Sequence, residues 1–503
     1  MDTLHSLLAG FSIALQLDNL LFCFLGTLIG TLIGVLPGIG PVGALSLLLP
    51  VTFKMSSTGA IIMLAGMYYG VSYGGSTTSI LMSVPGEISS VMTCLDGHQM
   101  ALKGRAGPAL GIAAFGSFIA GTLGIIGLMV FARPLSHMAL AFGPHEYFSL
   151  IILGLAFVAS LSHGSVFRAV MMAFFGLILG NVGIDIETGF PRMTFGELRL
   201  YNGIGIGPLC MGLFGIAEVL VNLENAASGL IVKTKIKGLL PSKLDWLKAK
   251  WAILRGTIIG FFLGILPGGG PVLSSFIAYA VEKRISKEPD QFGKGAIEGV
   301  ASPESANNSA SSSAFIPLLT LGIPPTAGLA VLFGALLVHG LIPGPLLLEQ
   351  HPDMFWGLVS SMYIGNVMLL VLNLPLIPMW VQLLKVPEKY MYPLILLFCL
   401  VGAYSLNNDV FDIAVMIIFG VIGYLLRKFD YEGAPLILAF VLGPMFDQKF
   451  RQALLISDGS FIPFVTHPIS GITLCLAAVV LFVSAYSHLS RRSLGLLTDK
   501  GNC

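Results

Sequence analysis

Charged side chains are scarce in this chain. Asp, Glu, Lys and Arg make up 11% of its 503 residues, less than half the roughly 25% of an average soluble domain. A protein of this length folded in water needs more polar surface than that, which excludes a cytosolic enzyme and a disordered scaffold. The balance of 27 basic against 26 acidic residues leaves a net charge of +1, so no overall field gathers a nucleic acid. The GxxxxGK[ST] phosphate loop is absent, which excludes ATP hydrolysis within the chain. The six cysteines form no CxxC pair and five sit in or beside apolar runs; they read as small buried hydrophobes rather than metal ligands or disulfides. The first 17 residues carry no Lys or Arg, so the basic region of a cleaved secretory signal is missing. What is present is apolar: 55% hydrophobic residues and a mean hydropathy of +0.88. The solvent for such a surface is a lipid bilayer.

About 20 apolar residues carry a helix across a bilayer. On that measure residues 108–131, 146–162, 165–183, 203–223, 313–342, 356–384, 389–407, 410–426 and 469–489 are membrane segments. The stretches 5–17, 20–53, 59–84, 252–282 and 433–447 are short or interrupted by Gly and Pro. The expectation is an all-α polytopic membrane protein with 10–14 membrane segments. Basic residues in short loops mark the cytoplasmic side. The densest patch, Lys233, Lys235, Lys237, Lys243, Lys248, Lys250 and Arg255, makes residues 231–255 a cytoplasmic linker, and Arg491 and Arg492 put the tail 491–503 on the same side.

Residues 26–42 (GTLIGTLIGVLPGIGPV) and 256–272 (GTIIGFFLGILPGGGPV) are identical at 11 of 17 positions, at a constant offset of 230. The chain therefore reads as two homologous transmembrane repeats, 1–230 and 256–490. Gly/Pro-broken segments at matching places in two halves point to the binding site of a secondary transporter. Arms of 11–12 residues reach about 17 Å, which suits a re-entrant hairpin whose Pro-Gly tip stops at mid-membrane. Arg255 and Lys283-Arg284 flank the second copy, whereas Asp18 and a lone Lys54 flank the first. Entry from opposite sides, and hence an inverted repeat, is the expectation.

In Pro37-Gly38-Ile39-Gly40-Pro41 and Pro267-Gly268-Gly269-Gly270-Pro271, proline removes a backbone donor and glycine permits positive φ, so the helix opens. Carbonyls freed around Gly38, Gly40, Pro41, Gly268, Gly270 and Pro271 are candidates to ligate a small cation such as Na+, and N–H groups at the following helix start can hold an anion. The formal GxGxxG of Gly38, Gly40 and Gly43 lacks the strand–helix context of a dinucleotide site. Gly74-Gly75-Ser76-Thr77-Thr78-Ser79 puts four hydroxyl residues in a greasy stretch; the glycines are expected to break the chain and the hydroxyls to cap a half-helix that faces a carboxylate. The second half carries Ser302-Pro303-Glu304-Ser305-Ala306-Asn307-Asn308-Ser309-Ala310-Ser311-Ser312-Ser313, expected as a polar loop whose amides contact both substrate and cation. The substrate-binding candidates are Gly75, Ser76, Thr77, Thr78, Ser79, Asn307, Asn308, Ser309, Ser311 and Ser312. Glu87, Glu298 and Glu304 border these motifs, Glu87 and Glu304 as charge partners, and Glu218 lies inside an apolar run. His163 and His339 read as helix-end histidines. Gly70-Val71-Ser72-Tyr73-Gly74 matches GxSxG, which keeps an intramembrane serine hydrolase, with Ser72 as nucleophile, as one alternative. A non-transporting, channel-like membrane subunit is the other.

On Gly34 to Pro41, Tyr73 to Leu81, Pro85-Gly86-Glu87, Leu266 to Pro271, Pro303 to Asn308 and Ile316 to Pro324, the chain resembles the TctA family, the large membrane subunit of the tripartite tricarboxylate transporters. The resemblance implies a multi-pass permease of the bacterial inner membrane rather than an enzyme, with no cofactor beyond coupling Na+ or H+. It implies two protein partners, a small TctB-like membrane subunit and a TctC-like periplasmic solute-binding protein. Uptake of citrate or another di- or tricarboxylate by cation symport, with elevator-like alternating access, is implied in the same way.

Overall fold

The computed structural model describes residues 3–35, 40–83, 85–161, 165–185, 187–224, 238–266, 270–383 and 388–498. The first half runs α1 (Thr3–Ala14), α2 (Leu17–Val35), α3 (Gly40–Thr52), α4 (Ser57–Met82), α5 (Val91–Leu102), α6 (Ala106–Leu140), α7 (Pro144–Leu161) and α8 (Val166–Gly180). A two-stranded hairpin, β1 (Gly183–Ile184) and β2 (Pro191–Arg192), precedes α9 (Ile206–Cys210) and α10 (Ala217–Glu224), which a π-helical segment, Met211–Ile216, joins into one rod. The second half opens with α11 (Lys243–Ile265), α12 (Gly270–Ile285), α13 (Glu298–Ser313), α14 (Phe315–Leu321), α15 (Ala327–Val338) and α16 (Leu347–Gln350). It closes with α17 (Pro352–Asn373), α18 (Ile377–Leu383), α19 (Glu388–Asn407), α20 (Val410–Lys428), α21 (Gly433–Ile456), α22 (Ile462–Thr466) and α23 (Pro468–Thr498). The protein is an all-α membrane protein, and among the described residues five helices, within α2, α6, α17, α20 and α23, are each long and apolar enough to cross a bilayer. Large apolar side chains such as Phe167, Phe174, Ile418, Phe482 and Val483 point outward, as a lipid-facing surface requires. The small β-hairpin went unforeseen, since two-residue strands leave no periodic pattern to read.

One packing device is used in both halves. A Cβ placed on Gly26, Gly30 or Gly34 of α2 falls 2.1, 2.5 or 2.3 Å from the carbonyl oxygen of Met63, Met67 or Val71 of α4. A Cβ on Gly256, Gly260 or Gly264 of α11 falls 2.3, 2.2 or 2.5 Å from the carbonyl oxygen of Ser302, Ala306 or Ala310 of α13. Backbone rests on backbone, which only glycine permits. The glycines stand 230 positions apart and their partners 239 (63 and 302, 67 and 306, 71 and 310). Numbers rise together along both members of each pair, so α2 runs parallel to α4 and α11 parallel to α13.

Parallel neighbours force the intervening chain to return. Gly59 at the start of α4 lies against Phe22 at the start of α2, so α3 comes back alongside and α2–α3 is a helical hairpin. In the second half Arg255 of α11 grips Glu282 of α12, Nε to Oε2 at 2.9 Å and Nη2 to Oε1 at 2.6 Å, which closes the base of an α11–α12 hairpin. With 13 residues α3 is about 20 Å long, short of a hydrocarbon core of about 30 Å. Gly34 and Gly264, next to the two tips, sit level with Val71 and Ala310, near the midpoints of α4 and of α13–α14.

Two local expectations are corrected. The chain does not break at Gly74-Gly75: α4 passes through them, because Gly74 nests its backbone against Thr31 and Gly75 lies against Glu87. Residues 302–313 are not a loop but the helix α13. In α13 Ser305, Ser309 and Ser313 stand 239 positions after Gly66, Gly70 and Gly74 of α4, and they form the same small-residue face toward the glycine-bearing helix. The real breaks come later, at left-handed residues: Ser83 (φ 57) ends α4 and Gly322 (φ 68) ends α14, again 239 apart.

Candidate functional site

The polar residues of α4 and α13 meet across the two halves. Glu304, buried on α13, accepts hydrogen bonds from Ser76 Oγ of α4 (2.6 Å), Thr93 Oγ1 of α5 (2.5 Å) and, at 3.5 Å, Ser117 Oγ of α6. Ser117 also receives Asn308 Nδ2 at 2.7 Å. Three hydroxyls hold this carboxylate, and the sequence has no Lys or Arg in 55–102 or 295–384. Glu87 sits in the turn after the Ser83 break, accepts the Ser89 hydroxyl, and receives Asn307 Nδ2 at 3.2 Å. The matching turn in the second half ends at Thr326, whose Oγ1 lies 3.3 Å from the Tyr68 hydroxyl of α4.

Around these residues three helices begin. Gly40 (φ 61) and Gly270 (φ 45) take the left-handed backbone that starts α3 and α12 straight out of the tips, and Pro41 and Pro271 follow where a missing N–H costs nothing. Thr326 caps α15 by accepting from Leu329 N at 3.2 Å. A Cβ on Gly270 falls 2.9 Å from Thr326 Cγ2, and one on Gly328 falls 3.6 Å from Pro41 and 3.0 Å from Tyr68. The first turn of α15 therefore touches the starts of both α3 and α12. Three positive dipole ends converge here, and among the described residues no cationic side chain joins them.

The candidates divide accordingly. Gly75, Ser76, Asn307, Asn308, Glu87 and Glu304 lie together on this seam, and Thr77 joins Tyr73, Ser76, Ser117 and Asn373 around a cavity of about 10 Å³, room for one water. Thr78 donates instead to Val35 O, Ser309 to Thr257 O, Ser311 to Asn307 O and Ser312 to Asn308 O, while Ser79 donates to Gly75 O and also lies 2.8 Å from Ser90 Oγ. These hydroxyls tie helices to each other or to their own turns. Gly40, Pro41, Gly270 and Pro271 flank the tips; Gly38 and Gly268, like His163, lie outside the described residues. On α13, Asn307 Oδ1, Asn308 Oδ1 and Ser305 Oγ are buried without a hydrogen-bond partner among the described residues, acceptors suited to a small cation or an ordered water.

Sequence reading missed Tyr68, Thr93, Ser117 and Thr326, single polar residues in apolar helices or turns; the register of 239 is the signal that finds Thr326, as the partner of Glu87. Ser72 of the GxSxG match lies inside α4, not on the strand-to-helix turn a nucleophile elbow needs. Glu218 pairs with Arg427, and His339 caps α15 with Nε2 3.4 Å from Thr52 Oγ1. A cavity of about 460 Å³ lies elsewhere, between the β-hairpin, the far end of α15 and α21, where Arg192 bridges Asp185 and Asp447.

Comparison with known proteins bears on this arrangement. Residues 20–438 match the model of the tripartite tricarboxylate transporter TctA family. The chain belongs to the TctA family. It is 49% identical over 483 residues, 96% of each chain, to the "Uncharacterized 52.8 kDa protein in TAR-I ttuC' 3'region" of Agrobacterium vitis. A second protein of that organism, "Uncharacterized protein in TAR-II ttuC' 3'region", is 49% identical over 225 residues, 45% of this chain and 93% of its own length. No solved structure matches. As a TctA member the protein is a membrane-embedded subunit of a tripartite tricarboxylate transporter, which has further subunits.

Proposed function

We propose that this chain is the permease subunit of a secondary active transporter that imports a di- or tricarboxylate such as citrate by cation symport across the bacterial inner membrane. A periplasmic binding protein delivers the acid, and a small membrane subunit accompanies the permease. The observation that carries the reading is the convergence of the starts of α3, α12 and α15 at a place without Lys or Arg. Helix N-termini offer N–H groups and a positive dipole end to a carboxylate. They hold it less tightly than a buried guanidinium would, which keeps release possible on every cycle.

Two negative groups close to an anion site, Glu87 and Glu304, call for a compensating positive charge, and a Na+ or H+ taken up with the substrate supplies it. The unpaired acceptors Asn307 Oδ1 and Asn308 Oδ1 suit the cation. The pairs Tyr68–Thr326 and Asn307–Glu87 correspond through the register of 239, and these reciprocal contacts support two homologous halves, 1–230 and 256–490, flanking the linker 231–255; we read the halves as inverted. Elevator-like movement of the paired hairpins then exposes the seam to either side.

The test is uptake into proteoliposomes holding the chain and its small partner subunit. A panel of organic acids is presented on the cognate binding protein, under an imposed sodium or pH gradient. Gradient-driven accumulation of a di- or tricarboxylate is expected, and Ser76→Ala and Asn307→Ala each lower it at least ten-fold with the protein still in the membrane. Unchanged uptake in both variants refutes the site, and flux indifferent to either gradient makes the chain a channel-like subunit instead.

A further inference from the structure

A second cluster of chemistry lies away from the seam, where α7, α21 and α23 meet. His145 and Glu146 occupy the first turn of α7, and His467 directly precedes α23. One donor atom from each lies within 4.8 Å of the others, and no other group of three His, Cys, Asp or Glu side chains is so placed among the described residues. His467 Nδ1 is 3.0 Å from Glu146 Oε1, close to the roughly 3.3 Å that separates two ligands on one tetrahedral Zn2+ with bonds of about 2.0–2.1 Å. Each buried member is oriented from behind. His145 Nε2 lies 2.8 Å from Ser457 Oγ at the end of α21, and Glu146 Oε2 accepts Gly143 N at 2.9 Å. Partners of this kind fix the ring and carboxylate of metal ligands.

We infer that His145, Glu146 and His467 form a binding site for a divalent transition-metal ion, Zn2+ by its donor set. Two imidazoles and one carboxylate suit zinc and its neighbours and are poor for calcium or magnesium, which prefer all-oxygen shells. His145 and His467 have ring centroids 4.8 Å apart, with Phe464 packed edge-on against His145, so small side-chain rotations bring the nitrogens into range. The bound ion fastens the C-terminal helix to α7. An ion pair between Glu146 and His467 alone would explain their contact, but it assigns no part to the buried ring of His145.

The experiment uses the full chain in detergent micelles, stripped with a chelator and titrated with Zn2+ against a chromophoric competitor. One saturable site per chain and a Zn2+-dependent rise in unfolding temperature are expected, with ligand-field bands when Co2+ replaces zinc. His145→Asn and His467→Gln each weaken Zn2+ binding at least ten-fold, while His351→Gln on a distant loop leaves it unchanged. His467 is exposed, so its variant keeps the fold and carries the test should His145→Asn misfold. Absence of saturable binding, or equal affinity in the His145→Asn/His467→Gln double variant, overturns the site and leaves a plain ion pair. Uptake is not the readout, so the outcome is independent of the transport reading.

Discussion

Tyr68 reaches Thr326 as Asn307 reaches Glu87: in both pairs a residue on the long helix of one half touches the turn after the break in the other. The separations are 3.3 Å and 3.2 Å, and the residues exchange by the register of 239. The two links differ in strength. Tyr68–Thr326 is neutral, whereas Asn307 donates to a carboxylate, and hydrogen bonds to charged groups contribute roughly 1.5–3 kcal/mol against about 1 for neutral ones. Tyr68→Phe is expected to lower unfolding free energy by about 1 kcal/mol and Asn307→Leu by about 2 kcal/mol, read by denaturant unfolding in mixed micelles. A larger loss for Tyr68→Phe would contradict the assignment.

Leucine at Gly30 or Gly260 puts a branched side chain where a Cβ alone would stand 2.5 or 2.2 Å from the carbonyl of Met67 or Ala306. Overpacking of this kind costs at least about 1–3 kcal/mol, and backbone has little room to yield. Both variants should reach the membrane in sharply reduced amounts, to a similar degree, measured by fluorescence-detected size exclusion. Tolerance in one half and not the other would show that the matched ladders do not bear matched loads.

Asp96 on α5 is a clasp for the loop before α13. Its Oδ1 accepts the backbone N–H of Gly293 (2.9 Å), Gly295 (2.7 Å) and Ala296 (2.8 Å), and its Oδ2 accepts the Tyr279 hydroxyl at 2.9 Å. Asp96→Ala strands these donors, a loss on the order of 3 kcal/mol. Trypsin should then cut at the exposed Lys294 much faster than in the parent chain; an unchanged digestion rate would rule out the clasp.

Outside the membrane helices, the Asp185 carboxyl is held down to about 2, against an ordinary 3.8, by the Thr188 hydroxyl first and by Arg192. A folded-state value below the unfolded one means the stabilisation is complete above about pH 4 and disappears as pH falls toward 2. The unfolding temperature of the parent chain should exceed that of Asp185→Asn at pH 5, with the gap closing between pH 4 and 2. A gap that persists at pH 2 would assign the effect to shape rather than charge.

Hydropathy made the long helices legible: 410–426 anticipates Val410–Lys428, and 389–407 anticipates Glu388–Asn407. The repeated GTxIG motif located both hairpins because its glycines are read by backbone contact, which leaves no substitute. The polar stretches misled for a physical reason. Serines at 305, 309 and 313 look like a linker by composition, yet at four-residue spacing they are one face of a helix, and Gly74-Gly75 looks like a break although it is a contact. Glu87, Glu304, Ser76 and Asn307 were legible as charge, hydroxyl or amide in apolar surroundings. Thr93 and Ser117 were not, since one hydroxyl in a helix usually bonds its own preceding turn.

The glycine ladders have a mechanical corollary. With main chain seated on main chain there is no cushion of side chains to shear, so α2 cannot slip along α4, nor α11 along α13, without carbonyl oxygens climbing over α-carbons. Each couple is therefore stiff along its length, and the chain changes direction where α4 and α14 end, at the left-handed residues Ser83 and Gly322.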